Sequence, residues 1–214
     1  LGEDVEREIR FDVPLIVERN IEDLDFEERP ARTTDHRTSI ILEKLHVIPR
    51  GRTRAKIKSH LASIYRMFLR RGDIAIYFNG EALSHTDPPV LTAPYYRTPQ
   101  ATPVPWRKEI DVSLDAQHRI TGWAAIRERA SISEAGFAVF RRDRLILGSG
   151  DDTYRPEMIF GKANSFTYQR LFGELFVEGF QVSHTKDGLH WEDWEELLLT
   201  EVSRQLDADP LPLL

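Results

Sequence analysis

Residues 108–127 read KEIDVSLDAQHRITGWAAIR, and residues 136–147 read GFAVFRRDRLIL. In each stretch, two runs rich in β-branched and other apolar residues flank a short polar turn, which is the pattern of a β-hairpin. The first turn lies at Ala116-Gln117 and the second at Arg141–Arg144. The two hairpins predict antiparallel strands, and they decide that the fold is built around a sheet.

Further strands and two principal helices are predicted on either side of these hairpins. Alternating apolar residues predict three more strands at 38–47, 73–78 and 174–183. Apolar residues at helical spacing predict one helix that begins at an N-cap, Thr53, and stops at Gly72. A last helix is predicted from about Trp191 to Leu206. The predicted fold class is therefore α+β, with a mixed or antiparallel β-sheet backed by helices.

The remaining segments are predicted to be irregular. Polar or proline-rich sequence without a period predicts loops at 20–37, 84–106 and 150–170. Asn79-Gly80 is a strong signal for a hairpin turn. Residues 1–28 contain two short alternating runs, one of them around Leu15 and Val17, without a self-contained core. Because the chain also starts with Leu and not Met, we expect a boundary inside a longer protein.

The composition excludes several classes of site. The chain has no cysteine, which excludes disulfides and thiolate metal sites, and no apolar run approaches the roughly 20 residues of a membrane helix. The histidines lack the i, i+4 spacing of a zinc protease, so no metal site is expected. No Walker-type loop or Gly-x-Ser-x-Gly turn is present. The chain is predicted to be cytoplasmic and without a membrane partner.

The net charge of −6 conceals two oppositely charged segments. Residues 187–209 carry eight acids against one basic residue, Arg204. Residues 50–71 contain no acid and eight basic residues, which are Arg50, Arg52, Arg54, Lys56, Lys58, Arg66, Arg70 and Arg71. The basic segment coincides with the first predicted helix. It is either a solvated amphipathic face or a surface for DNA or a protein partner, for which the candidate residues are Arg50, Arg52, Arg54, Lys56 and Lys58.

Lys186 is the candidate for chemistry. The predicted strand 174–183 leads into the loop His184–Gly188, and the last predicted helix follows directly. A lysine on such a loop can project a compact positive charge into a site supplied by another domain, where it would pair with a terminal phosphate. The alternative is a solvated lysine in a turn with Asp187-Gly188.

Four short stretches together resemble the GHKL ATPases, the group of gyrase, the ninety-kilodalton heat-shock chaperones, histidine kinases and MutL. Residues 38–46, TSIILEKLH, resemble the strand that closes the nucleotide-binding domain of this group, although Arg37 stands where the family has glycine. FNGE at 78–81 and RLI at 144–146 resemble parts of the second, transducer domain of MORC-like and related prokaryotic members. SHTKDGLHW at 183–191 resembles the loop that carries the transducer lysine.

The resemblance implies a division of the chain and a role for Lys186. Residues 1–48 would be the last strands of a GHKL domain, and residues 49–214 a transducer domain of the ribosomal S five type. Lys186 would reach the γ-phosphate of ATP bound in the preceding domain. The helix with Glu and Asn, the Asp-x-Gly-x-Gly turn and the Gly-rich lid of the family are absent from this sequence. We therefore expect ATP and Mg²⁺ to be bound only by the full-length protein, and this fragment to be inactive alone.

Two other interpretations stay open at the level of sequence. The chain could be a binding module for nucleic acid or protein in which Lys186 is inert, or a hydrolase that uses scattered histidines and carboxylates. In the ATPase interpretation its partners are its own N-terminal GHKL domain, with a homodimer and DNA left open. GHKL motifs encoded upstream of Leu1 would favour the ATPase interpretation.

Overall fold

The computed structural model describes residues 5–32, 34, 38–148, 153–183, 188–191 and 194–214. The chain forms two compact units, Leu1–Ile48 and Pro49–Leu214. The division falls between the same two residues as the predicted domain boundary, whereas the family identity of each part stays a prediction. Each unit is described by itself.

The first unit is a hairpin of two strands that flank a short helix. Strand β1 spans Val5–Ile9, helix α1 spans Val13–Arg19 and strand β2 spans Phe26–Pro30. The strands pair antiparallel, and the side chain of Asp12 caps α1 by accepting a hydrogen bond from the backbone of Leu15. The prediction of a strand-like run around Leu15 is therefore wrong, as is that of a continuous loop over 20–37, which contains β2.

The strand predicted over 38–47 is also wrong. Residues 38–48 form no strand, and Ile40, Ile41 and Leu42 are 71–82% exposed. A strand needs a neighbouring strand to satisfy its backbone hydrogen bonds, and β1 and β2 pair only with each other. The alternating sequence is compatible with a strand, but the described residues of this unit offer it no partner.

In its described residues, the second unit contains the main sheet and five helices. Its elements, in chain order, are α2 (Arg52–Ile64), α3 (Arg66–Arg71), β3 (Tyr77–Phe78), β4 (Glu81–Ala82), β5 (Thr92–Ala93), β6 (Val104–Pro105), β7 (Arg107–Ser113), β8 (Arg119–Ile126), β9 (Gly136–Arg141), β10 (Arg144–Leu147), α4 (Glu157–Phe160), α5 (Phe166–Arg170), β11 (Leu171–Glu178), β12 (Gln181–Val182), β13 (Leu189–His190) and α6 (Trp194–Asp207). The α+β class is confirmed. The ribosomal S five type is not established by this architecture.

The main sheet has the strand order β10-β9-β11-β8-β7. Strand β11 runs parallel to β9 and antiparallel to β8, so the sheet is mixed, as predicted. The long strand β11 lies between the two predicted hairpins β7–β8 and β9–β10. Gly173 permits close pairing there, because a Cβ at this position would lie 2.2 Å from the carbonyl oxygen of Trp123.

Helices cover both faces of the sheet. Phe137 and Val139 point into the main core, which also contains Phe160 of α4 and Leu198 of α6. The alternate residues Ala138 and Phe140 point to the other face, where they form a smaller cluster with Ile64 of α2, Met67 of α3 and Phe176 of β11. Strand β11 is therefore a central strand with helices packed above and below it.

The first predicted helix is two helices, not one. It begins after Gly51 and not at Thr53, and it breaks at Tyr65, whose φ of −99° and ψ of 13° leave the helical region. Gly72 ends α3 in the left-handed conformation, as predicted. The short helices α4 and α5 lie in the segment predicted as a loop. Four- and five-residue helices are too short to show a period in sequence.

Candidate functional site

A buried carboxylate at the centre of the sheet organises a charged cluster. The side chain of Glu174, on β11, is 3% exposed. Arg70 of α3 donates two hydrogen bonds to it, each of 2.9 Å, in the bidentate geometry of a guanidinium on a carboxylate. The Nε atom of Arg66 lies 3.3 Å from the same carboxylate without hydrogen-bond geometry. Two arginines therefore connect α3 to the sheet through one acid.

The segment after β4 adds His85 and Asp87 to this cluster. Asp87 forms an ion pair with Arg70, and the Nε2 atom of His85 lies 3.4 Å from an Asp87 carboxylate oxygen. Burial lowers the pKa of His85, and the nearby Arg66 cation lowers it further. His85 is therefore held neutral within a group of fixed charges.

The two arginines differ in their environment. Burial lowers the pKa of Arg66, because its desolvation outweighs the attraction of Glu174. The hydrogen bonds to Glu174 raise the pKa of Arg70 instead. Arg66 lies 4.8 Å from the ring centroid of Phe140, a cation–π contact that compensates part of its desolvation. Its Nε and Nη2 atoms have no hydrogen-bond partner among the described residues.

This cluster positions a helix; it does not assemble a catalytic centre. It contains no nucleophile beside a base, and all the charges except those of Arg66 are paired at hydrogen-bond distance. Sequence reasoning did not identify Glu174. The available signal was one acid inside the otherwise apolar run Leu171–Val177, since a charge at the centre of such a strand requires a partner.

The lysine singled out from sequence, Lys186, lies outside the described residues. The chain on either side of its segment is ordered by strand pairing. Val182 of β12 pairs with Leu189 of β13, and the backbone of Ser183 donates a hydrogen bond of 3.0 Å to the carbonyl oxygen of Gly188. Residues 183 and 188 are therefore adjacent in space.

Aromatic side chains support this pair of strands. The ring of Trp191, after β13, stacks on Tyr154 with centroids 6.0 Å apart and meets Phe180 edge-on at 5.4 Å. The Tyr154 hydroxyl donates a hydrogen bond of 2.7 Å to Glu195 in the first turn of α6. Burial, together with this bond, raises the pKa of Tyr154, so it stays a neutral donor. The entry and exit of segment 183–188 are thus joined to α6 through one ring cluster.

The predicted basic surface is divided in the structure. Its C-terminal part is engaged within the chain, because Arg66 and Arg70 face Glu174 and Arg71 pairs with Asp73 and Asp143. Of the five candidate residues, Lys58 pairs with Glu81, and the guanidinium of Arg54 lies against the side-chain amide of Asn79. The candidates Arg50, Arg52, Arg54 and Lys56 are exposed, at or near the start of α2.

Two grooves lie elsewhere on the second unit. One, of about 820 Å³, is lined by hydroxyl and amide side chains and by Arg155, whose guanidinium donates to the carbonyl oxygens of Ala135 and Ile132. The other, of about 530 Å³, is lined mainly by aromatic and aliphatic side chains, with Asp207 and Asp209 among them. Neither groove includes the cluster around Glu174.

Within the described ranges, no group of three or more histidine, aspartate or glutamate side chains could hold a metal ion. No helix in that part of the chain is long and apolar enough to cross a membrane.

No protein-family model matches the sequence, and no curated protein matches it significantly. The residues and their geometry therefore carry the functional argument.

Proposed function

We propose that this chain is the transducer portion of a GHKL-type ATPase and that Lys186 contacts the γ-phosphate of ATP bound by a preceding domain. The role of the chain would be to sense bound ATP and relay that state to conformational change or dimerisation. ATP and Mg²⁺ would be held by the preceding domain, and the chain would contribute one cation. The fragment alone would not hydrolyse ATP.

One observation carries this proposal: the central strand β11 leads directly into the strand pair that brackets residues 183–188. Leu171, Leu175 and Val177 of this strand are buried in the main core. The β12–β13 pair follows within three residues of its end and passes directly to α6. A buried strand on one side and a 14-residue helix on the other are suited to relay a displacement at residues 183–188 to the rest of the domain.

A lysine fits the chemistry that the proposal requires. Charge accumulates on the γ-phosphate oxygens during phosphoryl transfer, and a positioned ammonium group stabilises it electrostatically. Such a contact acts mainly in the transition state, so its loss lowers turnover more than nucleotide affinity. The resemblance of SHTKDGLHW to the transducer lysine loop supplies the identity of this group.

The proposal is tested with the full-length protein, by steady-state ATPase kinetics and nucleotide binding of Lys186→Ala. We expect turnover to fall by about 10²-fold or more with ATP affinity largely retained. Lys162→Ala is the matched control, because Lys162 is an exposed lysine of the second unit that lies outside its helices and strands. Equal turnover of the two variants would refute the role of Lys186, and a coding sequence without GHKL motifs before Leu1 would refute the family assignment.

A second candidate function, nucleic-acid binding, is favoured by the exposed arginines at the start of α2. The first turn of this helix contains no acid, and Arg50 and Arg52 form no ion pair with another described residue. Planar guanidinium groups bind phosphate oxygens in pairs. Within the basic stretch this surface would be centred on Arg50 and Arg52, because Lys58, Arg70 and Arg71 pair with acids of this unit.

Fluorescence anisotropy with a single-stranded oligonucleotide of about 30 nucleotides tests this surface. We expect Arg50→Ala combined with Arg52→Ala to weaken binding and to reduce the slope of log Kd against log salt by about 1.4, or 0.7 for each lost contact. The control combines Arg129→Ala with Arg144→Ala, which removes the same charge from two exposed arginines elsewhere. Equal weakening in both double variants would mean that only net charge matters.

A further inference from the structure

The 530 Å³ groove on the second unit is lined by the apolar and acidic side chains that a site for a cationic side chain needs. Its apolar floor includes Leu91, Trp106, Phe166 and Leu214. Grooves of about 300–1,000 Å³ are large enough for a small ligand or one long side chain with its flanking backbone. The carboxylates of Asp207 and Asp209 also line the groove and add two negative charges, against the one positive charge of Arg97.

The chain already places one guanidinium at this groove. The Cζ atom of Arg97 lies 5.5 Å from the ring centroid of Tyr96 and 5.9 Å from that of Tyr95. Its Nη1 atom donates a hydrogen bond of 3.4 Å to Asp209, and the hydroxyl of Tyr95 donates one of 3.1 Å to the same oxygen. Two tyrosine faces and a carboxylate therefore hold an arginine here, in the arrangement by which aromatic and acidic groups recognise cations.

Asp207 is the carboxylate that this internal arginine leaves available. It lines the groove, and it forms no hydrogen bond or ion pair with another described side chain. The neighbouring cation, Lys108, is attracted electrostatically by Asp207 and Asp209, but its ammonium donates its hydrogen bonds to the carbonyl oxygens of Gln205 and Ala208 at the end of α6. The Asp207 carboxylate is thus available to accept hydrogen bonds from a second cation.

We infer that this groove binds an arginine side chain presented by a partner polypeptide. The methylene stem would lie on the apolar floor formed by Trp106 and Phe166, and the guanidinium would donate to Asp207. Arginine suits the site better than a compact ammonium because its planar head stacks on aromatic faces while donating to a carboxylate. Arg97 occupies the adjacent rim, so its positive charge opposes the incoming cation. This inference is independent of the ATPase proposal, since it uses neither Lys186 nor nucleotide.

The test is an NMR titration of the 214-residue chain with N-acetyl-arginine amide, read at the indole N–H signals of its tryptophans. Trp106 lines the groove and donates its indole N–H to the carbonyl oxygen of Ala93, so its signal reports locally. We expect a saturable shift of the Trp106 signal in the millimolar range. N-acetyl-citrulline amide, which has the same shape without the charge, should bind about tenfold more weakly.

Substitutions at the groove complete the test. Asp207→Asn should weaken arginine binding about tenfold, and Arg97→Ala should strengthen it by removing the competing charge. Glu109→Gln is the matched control, because it removes an exposed acid that pairs with another arginine on an aromatic ring, Arg107 on Trp123. Unshifted tryptophan signals in the unliganded variants would show that they fold. Equal shifts with the citrulline compound, or an unchanged affinity of Asp207→Asn, would overturn the inference.

Discussion

The two units contain similar alternating apolar sequence and use it differently. Residues 119–126 form β8, paired on both sides, and Ile120, Ala124 and Ile126 are at most 1% exposed. Residues 38–48 alternate comparably and remain without strand partners and exposed. No described residue of the first unit is buried. Alternation therefore shows that a segment can join a sheet, whereas burial depends on whether a neighbouring strand is available.

The largest predicted difference between the units comes from the same chemical change made in each. Leu198 of α6 is fully buried, and Leu42 is 71% exposed. Leu198→Ala should lower the free energy of unfolding by about 3–5 kcal/mol, because it removes buried methyl groups and leaves a cavity. Leu42→Ala should change it by less than about 0.5 kcal/mol. Urea unfolding followed by far-ultraviolet circular dichroism measures both values, because all four tryptophans lie in the second unit.

A loss above about 1 kcal/mol in Leu42→Ala would contradict this comparison, because it would mean that Leu42 packs against something in solution. A small loss in Leu198→Ala would instead question the position of α6 on the sheet. Unchanged denaturant dependence (the m value) in both variants would show that the same unfolding transition is being compared.

The sequence predicts the second unit better than the first, because the strands of the second unit have neighbouring strands with which to pair. The strands β7–β10 are predictable because hairpin partners adjacent in sequence satisfy their backbone hydrogen bonds. The break at Tyr65 was not identified, since it accompanies contacts of Arg66 and Arg70 with Glu174, about a hundred residues away. Period and propensity are local quantities, and they do not register such contacts.

The candidate sites show the same limit. The motif around Lys186 was recognised from contiguous residues, and its role stays a prediction because Lys186 lies outside the described residues. The charged cluster was not recognised, because α3, residues 85–87 and β11 are brought together only by folding. The basic stretch is continuous in sequence, although half of its cations pair with acids that are distant in sequence.

The second prediction concerns the buried ion pair of the second unit. Glu174→Gln keeps the shape of the side chain but leaves Arg66 and Arg70 beside a neutral group. We expect a loss of about 2–3 kcal/mol, less than for a fully buried pair, because Arg70 is 31% exposed. Chemical unfolding measures the loss, and Glu178→Gln, at the exposed end of the same strand, is the control. Similar values for both variants would mean that the cluster contributes little to stability.

The third prediction is a pH dependence that arises at His85. Its pKa is lowered in the folded state by burial and by Arg66, so folding favours the neutral ring. Arg70, Asp87 and Glu174 are the other charged groups that face it. The stabilisation is complete above the ordinary histidine pKa of about 6.5 and is lost progressively as the pH falls below it, by at most about 1.4 kcal/mol per pH unit.

Thermal unfolding of the wild type and of His85→Gln between about pH 7.5 and 5.5 measures this dependence. The variant, which is neutral throughout, should lose less stability over that range than the wild type. His60→Gln is the control, because His60 is an exposed histidine of α2. Parallel curves for wild type and His85→Gln would mean that the His85 ring is as readily protonated in the folded as in the unfolded chain.

The smallest effect is expected for the ion pair of the first unit, between Arg7 and Glu28. The pair joins β1 to β2 at 2.9 Å, but its side chains are 50% and 46% exposed, so water screens the attraction between them. The attraction between Arg70 and Glu174 is screened less, because Glu174 is buried. Glu28→Gln should therefore change amide hydrogen-exchange protection in β1 and β2 by less than about fivefold, and added salt should abolish the change. A larger, salt-resistant effect would show that this hairpin is covered in solution. In that case the first unit would also bury its surface in solution, against something other than its own described residues.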